Sequence, residues 1–131
     1  MEKQFANHPG LSTPRGYTHT VSAAGSTTVY VAGQVAIGRD GQIVGPGDLG
    51  AQAKQVFENL KLALQAAGAG LTDLVKITTF VVNYKPEDRA IIAEVRAEYL
   101  SPDKPPASTL VGVQALAVEG LLIEVEAVAV I

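Results

Sequence analysis

The sequence predicts one α+β domain over residues 1–131, with a mixed β-sheet that carries two helices on one face. Two segments repeat apolar residues at spacings of three and four, as amphipathic helices do, and the other ordered segments are rich in β-branched residues. The segments follow one another as strands, helix, strand, helix and strands. With 47% hydrophobic and 18% charged residues among 131, the chain can bury one core and is too apolar for disorder.

The N-terminal residues predict an extended arm and then a β-hairpin. Residues 1–16 contain two prolines and two glycines among small polar residues, which favours the arm. Two β-branched runs, Tyr17–Ala23 and Thr28–Val35, are predicted to be strands. Because the Gly25-Ser26 pair between them is a turn signal, we expect these strands to pair with each other.

A surface loop and the first helix follow. Glycine, proline and aspartate are dense in residues 38–47, which predicts a loop with a short extended piece at Gln42–Val44. Asp48 is predicted to cap the N-terminus of the helix, and Gly68 is predicted to end it. The residues that recur at helical spacing between them are Leu49, Ala53, Val56, Phe57, Leu60, Leu64 and Ala67.

The middle of the chain predicts a central strand and a second helix. Leu71–Val82 is a β-branched run whose side chains alternate between two faces. Pro86 suits the first turn of a helix, and the helix is expected to end before Pro102. The apolar stripe of this helix consists of Ile91, Ile92, Val95 and Tyr99.

Two more strands, predicted at residues 108–116 and 121–131, complete the domain. One face of the last strand holds Ile123, Val125, Ala127, Ala129 and Ile131. The other face holds Glu124 and Glu126 but is otherwise apolar. Since two helices cover only one face of the sheet, we expect another copy of the chain to cover the second face, with both glutamates at or near a subunit interface.

Several kinds of site are excluded or disfavoured by composition. The chain has no cysteine, and its only histidines, His8 and His19, are too few for a usual zinc site, so no metal is expected. The segment Gly45–Gly50 matches the G-x-G-x-x-G pattern of dinucleotide sites. Asp48 within it would place a carboxylate where the pyrophosphate must lie, so no cofactor is expected.

Charge and hydropathy also limit the partners. The formal net charge is −3 and the ten basic residues are scattered along the chain, so no nucleic-acid partner is expected. No stretch approaches the roughly 18 uncharged apolar residues that span a membrane, and residues 1–20 lack a signal-peptide core. The predicted location is therefore the cytoplasm, without membrane attachment.

Two pairs of polar side chains are candidates for chemistry. Glu124 and Glu126 are two residues apart on one strand, so their carboxylates point the same way. The two carboxylates of a glycosidase must instead flank the scissile bond, so a glycosidase activity is disfavoured. The alternative is that both form ion pairs or accept backbone hydrogen bonds at an interface. Tyr17 and His19 likewise share one face of the first predicted strand, and the alternative for each is packing with a hydrogen-bonded polar tip.

Seven segments, in order and with their spacing kept, carry a wider pattern: Gly16-Tyr17, VAGQ at 31–34, QAKQVFEN at 52–59, LALQAAG at 62–68, DLVKITTFV at 73–81, Pro106-Ala107 and IEVEAVAV at 123–130. With these segments the chain resembles the Rid family, also called YjgF or L-PSP, whose best-known members are reactive enamine/imine deaminases. The resemblance covers nearly the whole chain. It implies a chorismate-mutase-like fold and a homotrimer that binds small-molecule metabolites in clefts between neighbouring subunits.

The resemblance also implies which residues form the cleft. In typical members an arginine directly after the Pro-Ala pair binds the substrate carboxylate, and here that position is Ser108. Glu124 matches the residue that positions the attacking water, and Tyr17 matches another cleft position. Further substrate-binding positions are expected at Gly33, Thr109, Leu110 and His19. The site is therefore altered on its anion-binding side, where Ile92 and Ala32 also depart from the pattern and where Arg15 or His19 are candidate substitute cations.

The chemistry implied by the resemblance is hydrolysis of a 2-imino acid to a 2-keto acid and ammonia. Loss of the arginine at Ser108 disfavours small 2-imino acids, so the expected substrate is an enamine, imine or related metabolite other than 2-aminoacrylate. The alternative is a non-catalytic small-molecule-binding or regulatory trimer. A ribonuclease activity is disfavoured because the chain is acidic and lacks a basic stripe.

Overall fold

A computed structural model of the chain describes residues 2–131, and Met1, the first residue of the predicted arm, lies outside them. The strands are β1 (Glu2–Ala6), β2 (Thr20–Ala24), β3 (Thr28–Val35), β4 (Leu74–Val82), β5 (Ala107–Val113) and β6 (Ile123–Val130), and the helices are α1 (Leu49–Ala66) and α2 (Pro86–Ala97). Within residues 2–131, neither helix is long and apolar enough to cross a membrane.

The four C-terminal strands form one mixed sheet in the order β3-β6-β4-β5. Its β4 and β5 are parallel and its other neighbours are antiparallel. Both helices contribute to a core against one face of this sheet, α1 with Val56, Phe57, Leu60 and Leu64 and α2 with Ile92. The α+β class, the mixed sheet and the two helices are therefore confirmed.

The predicted hairpin between the first two strands is wrong. β2 pairs with β1, a strand within the residues predicted as an arm, and begins at Thr20 rather than Tyr17. Thr27 and Ile131 exchange two backbone hydrogen bonds of 3.0 Å, which lead β3 into the sheet alongside β6. Gly25 allows the chain to pass there, because a Cβ on it would lie 2.8 Å from the Ile131 carbonyl oxygen. The chain at Gly25 therefore passes the end of β6 instead of turning back into a hairpin, and β2 takes β1 as its partner.

The first helix and the loop before it follow the prediction. The Asp48 carboxylate caps α1 by accepting a hydrogen bond of 3.0 Å from the Ala51 N–H. Gly68 follows the end of the helix with a φ of +75°, a left-handed conformation that favours glycine at this position. The extended piece of the loop makes one antiparallel bridge, between Ile37 and Ile43.

The central strand and second helix differ from the prediction in detail. Leu71–Asp73 is a 3-10 turn, stabilised by the Asp73 carboxylate accepting from the Gly70 N–H at 2.8 Å, so β4 begins at Leu74. In α2, Ile92 is buried but Ile91 is 40% exposed. Their side chains are about 100° apart on the helix, and only the first reaches the core.

Strand register assigns the side chains of the four-stranded sheet to two faces. The helix face, which packs on α1 and α2, contains Ile77, Thr79 and Val81 of β4 and their partners Ser108, Leu110 and Ile123. The outer face contains Tyr30, Lys76, Thr78, Phe80, Thr109, Glu124, Glu126 and Val128. The predicted alternation of β6 is confirmed, since its helix-face residues are buried and its outer-face residues are not.

A buried glutamine fixes where β6 starts. Gln52 of α1 is fully buried, and its amide donates to the carbonyls of Gly45 at 3.2 Å and Gly120 at 3.0 Å. Its amide oxygen accepts from the Leu122 N–H at 2.8 Å, immediately before β6. The Gln52 side chain thereby ties α1 to the loop before α1 and to the loop before β6. Because Glu124 follows Leu122 by two residues, this contact sets the position of Glu124.

Candidate functional site

A cavity of about 570 Å³ lies between α2, the start of β5 and the segment that leads into β2. Its volume falls within the range of small-molecule sites. The apolar part of the wall includes Ile92, Leu100 and Leu110, and the hydroxyl groups of Tyr17, Tyr84, Ser101 and Ser108 add polar positions. The wall thus combines a hydrophobic surface with groups that can orient a ligand.

Thr18 holds Tyr17 against β5. Its hydroxyl is buried and donates to the Pro105 carbonyl at 2.6 Å, and its N–H donates to the Pro106 carbonyl at 3.3 Å. These bonds join the segment before β2 to the segment just before Ser108. As a result, Tyr17 and Ser108, ninety-one positions apart in the numbering, line one cavity.

Three arginines reach the same cavity: Arg15, Arg89 and Arg96. Arg89 and Arg96 are seven residues apart on α2, which places them on one side of the helix two turns apart. The Arg96 guanidinium packs on the backbone of Gly16, where a Cβ would lie 2.6 Å from Nη2. Burial, and secondly the Arg89 charge, lower the pKa of Arg96 from its usual value. Within residues 2–131, no aspartate or glutamate lines this cavity.

Glu124 lies elsewhere, on the outer face. Its side chain runs along the backbone of Gly33, because a Cβ there would lie 2.7 Å from the Glu124 Cδ. The register of β3 against β6 shifts between Val31 and Gln34, and this bulge contains Gly33. Asn59 of α1 fixes the strand just beyond the bulge by donating to the Val35 carbonyl at 2.8 Å. Glycine is therefore required at position 33 by the approach of the carboxylate side chain.

Lys76 is the cation of the outer face. Its ammonium donates to the Ile77 carbonyl and to the hydroxyls of Thr78 and Thr109, at 3.0, 3.1 and 2.9 Å. Partial burial lowers the pKa of Lys76, and the Glu126 charge opposes that shift. Thr109 is thus turned away from the cavity and toward Lys76.

The predicted site residues form two groups in one chain. Tyr17, Ser108 and Leu110 line the cavity on the helix face, whereas Gly33, Thr109 and Glu124 belong to the outer face. His19 packs edge-on against Tyr17 with ring centroids 5.3 Å apart, but its Nε2 lies 2.9 Å from the Ser12 carbonyl oxygen. The sheet separates the two groups, so they do not meet within one chain.

Sequence reasoning named Arg15 as a candidate substitute cation but missed Arg89 and Arg96. Two features could have indicated them. Arg89 and Arg96 are seven residues apart, so they lie on the same side of α2, and they flank Ile92, a position at which the chain departs from the family pattern. Within residues 2–131, no group of three or more histidine, cysteine, aspartate or glutamate side chains is placed to hold a metal ion.

Known proteins match the chain over most of its length. The endoribonuclease L-PSP family matches residues 10–131. The structure of YyfB from Yersinia pestis, a conserved Rid protein of unknown function, superimposes with a TM-score of 0.92 at 40% identity and covers 100% of both chains. A RutC family protein of Pyrococcus horikoshii is 41% identical over 102 residues, 77% of each chain. The 2-iminobutanoate/2-iminopropanoate deaminase of Dermatophagoides farinae is 32% identical over 131 residues, 98% of this chain and 97% of the relative.

Proposed function

Because the chain belongs to the endoribonuclease L-PSP family, also called the Rid or YjgF family, we propose that it is a deaminase-type hydrolase of an imine or enamine acid other than 2-aminoacrylate. The relative from Dermatophagoides farinae, 32% identical, is named for that reaction on 2-iminobutanoate and 2-iminopropanoate. The observation that carries the proposal is the placement of Glu124 against Gly33 on the outer face, where its carboxylate is half-buried.

We propose further that the active site is completed in a homotrimer. A single chain has the cavity on one side of the sheet and Glu124 on the other. Placing the outer face of one subunit beside the cavity of the next brings the carboxylate to the ligand. The outer face also suits burial, since Tyr30 is 79% and Val111 38% exposed in the single chain.

The proposed reaction is hydrolysis of the carbon–nitrogen double bond. The substrate reacts as the protonated imine: Glu124 accepts a proton from a water molecule as the water oxygen bonds to the imine carbon, and the electron pair of the C=N bond moves to nitrogen, which gives a neutral amine. Glu124 returns that proton to the nitrogen and then accepts the hydroxyl proton as the C–N bond breaks and the carbonyl of the 2-keto acid forms. The ammonia that leaves takes up this last proton from Glu124 and departs as ammonium. The Tyr17 hydroxyl in the cavity supplies a hydrogen bond that orients the substrate.

The proposed substrate is not 2-aminoacrylate. Ser108 occupies the position at which typical members have the carboxylate-binding arginine, and a serine hydroxyl offers one hydrogen bond in place of a charged bidentate contact. Nucleic acid is not the proposed ligand either, because the net charge is −3 and the arginines of the site converge on a cavity of small-molecule size.

The test uses imines formed in solution by an amino-acid oxidase from a panel of amino acids. Release of the 2-keto acid and ammonia above the spontaneous rate is followed for the wild-type protein, Glu124→Gln and Glu126→Gln. Glu124→Gln is expected to lower kcat by about 10²–10⁴, since a general base contributes that much, while Glu126→Gln has a small effect.

Glu126 is the matched control because it lies two residues away on the same face. Equal losses in the two variants would contradict the role given to Glu124. A wild-type protein that accelerates no imine of the panel would support the non-catalytic binding alternative instead.

A further inference from the structure

Three arginines line the cavity on the helix face, and within residues 2–131 no acidic residue lines it with them. Within residues 2–131, the ion pairs are Lys54–Glu98 and Lys61–Glu58, and neither involves Arg15, Arg89 or Arg96. These residues also form no side-chain hydrogen bond there, and no carboxylate lines the cavity. The cavity therefore concentrates positive charge that the folded chain does not neutralise.

Such a cluster has an electrostatic cost, because like charges near each other in a partly enclosed site repel. The cost falls when an anion binds between them, and a guanidinium is suited to bidentate contact with carboxylate or phosphate. Arg96 is half-buried and held over the Gly16 backbone, so one of the three donors is already ordered before a ligand arrives. Arg15 and Arg89 are exposed and approach the cavity from the segment before β2 and from α2.

We propose that Arg15, Arg89 and Arg96 form a binding site for a dianion, so that the ligand carries a second carboxylate or a phosphate group in addition to the carboxylate next to its reactive carbon. The assignment of that ligand as an imino acid rests on the proposed function. The dianion site itself rests on the three cations and the absence of acids in the cavity.

Ser108 fits this arrangement. With serine at position 108 the anchor for the first carboxylate moves from β5 to α2 and the segment before β2, where two or more cations are available instead of one. With the Glu124 carboxylate of the neighbouring subunit beside the cavity, as the proposed function requires, a monoanion would still leave net positive charge, whereas a dianion neutralises it. The apolar wall formed by Ile92 and Leu110 accommodates the carbon chain between the two anionic groups.

The experiment measures binding by calorimetry, without turnover, using stable ligands. The matched pair is 2-oxopentanoate and 2-oxoglutarate, two 2-keto acids which have the same number of carbons and differ by the terminal carboxylate. Phosphoenolpyruvate, an enol phosphate whose phosphate carries about −1.5 to −2 charges at pH 7, tests a phosphate as the second group. We expect the better of the two ligands with a second anionic group to bind about tenfold or more tightly than 2-oxopentanoate, because charge-assisted hydrogen bonds contribute on that scale. Whichever of these two ligands binds more tightly identifies the second group, and equal affinity for all three compounds overturns the proposal.

Variants locate the site. Arg89→Gln or Arg96→Gln is expected to reduce the preference for the dianion by about tenfold. Arg39→Gln is the control, since Arg39 is exposed and outside the cavity. An unchanged preference in both α2 variants, or an equal loss in Arg39→Gln, overturns the proposal.

Glu124→Gln separates this proposal from the proposed function. If Glu124 acts on water, its replacement lowers turnover and leaves the preference for the dianion intact. Retained dianion binding without turnover in the wild-type protein would contradict the hydrolase proposal and leave the arginine site standing.

Discussion

The helix face and the outer face of the four-stranded sheet differ in their covering and in the charges beside them. The helix face is sealed by α1 and α2, and the cavity at its edge contains cations without acids. The outer face exposes Tyr30 and carries the carboxylate of Glu124. Within one chain the two kinds of charge cannot pair, because they lie on opposite faces of the sheet. In the proposed trimer they meet only where the outer face of one subunit lies beside the cavity of the next.

The largest expected effect concerns what covers the outer face. Val128 is half-buried there, next to Lys76 across the strand pair. In a free subunit a lysine at position 128 would reach water, but under a neighbouring subunit it would be an unpaired buried ammonium, which costs several kcal/mol. Val128→Lys is therefore expected to fold and yet to remain at the 13.6 kDa mass of one chain by light scattering, whereas the wild-type protein is expected to have three times that mass.

Circular dichroism confirms that the variant is folded. Val118→Lys is the control, because Val118 is 47% exposed in the loop before β6 and lies on neither face. Its mass is expected to equal that of the wild-type protein. A wild-type mass in Val128→Lys would show that the outer face is not covered by another subunit. Glu124 on that face would then not reach the cavity of a neighbouring subunit.

The next effect concerns the sealed side of the molecule. Gln52→Leu removes an amide that satisfies three backbone groups, at Gly45, Gly120 and Leu122. Leaving such buried groups without partners is expected to lower the free energy of unfolding by about 2–5 kcal/mol. Urea titration at a fixed protein concentration measures this change.

Gln65→Leu on the same helix is the matched control, since Gln65 is exposed and its replacement is expected to change stability by about 0.5 kcal/mol or less. Similar urea midpoints for the two variants would mean that the buried amide of Gln52 does not fix the start of β6. Gln52 would then not explain the position of Glu124.

Sequence patterns predicted those elements of the fold whose signals are local. The cap at Asp48, the stop at Gly68 and the alternation of β6 depend on neighbours within a few residues, and each is confirmed. The hairpin failed because β2 has a distant partner: it pairs with β1, while the chain passes the end of β6, where Thr27 and Ile131 are hydrogen-bonded, before it enters β3. A turn signal alone contains no information about such a partner.

The site shows the same division. Resemblance named Tyr17, Ser108 and Glu124, but only the sheet register reveals that Glu124 lies on the face opposite the other two. The arginines of α2 were missed because helical spacing marks them as a polar side, which in most helices faces solvent. Arg15 reaches the same cavity only because of the path of the segment before β2. Thr18 holds that segment through hydrogen bonds to the carbonyls of Pro105 and Pro106, the two residues just before β5.

The smallest expected effect tests the Thr18 side-chain contact, which helps to tie the segment before β2 to the residues just before β5. Thr18→Val keeps the shape of the side chain but removes the buried hydrogen bond to the Pro105 carbonyl, and is expected to lower the free energy of unfolding by about 1–2 kcal/mol. Because the segment that carries Arg15 and Tyr17 is then held less firmly, the affinity for the preferred dianion is expected to fall as well. The control is Thr20→Val, which removes an exposed hydrogen bond to the Ala6 carbonyl and is expected to cost about 0.5 kcal/mol or less, with unchanged dianion binding. Equal effects of the two variants on both stability and binding would show that the segment is not positioned by Thr18, and that the cationic side of the site is assembled by other contacts.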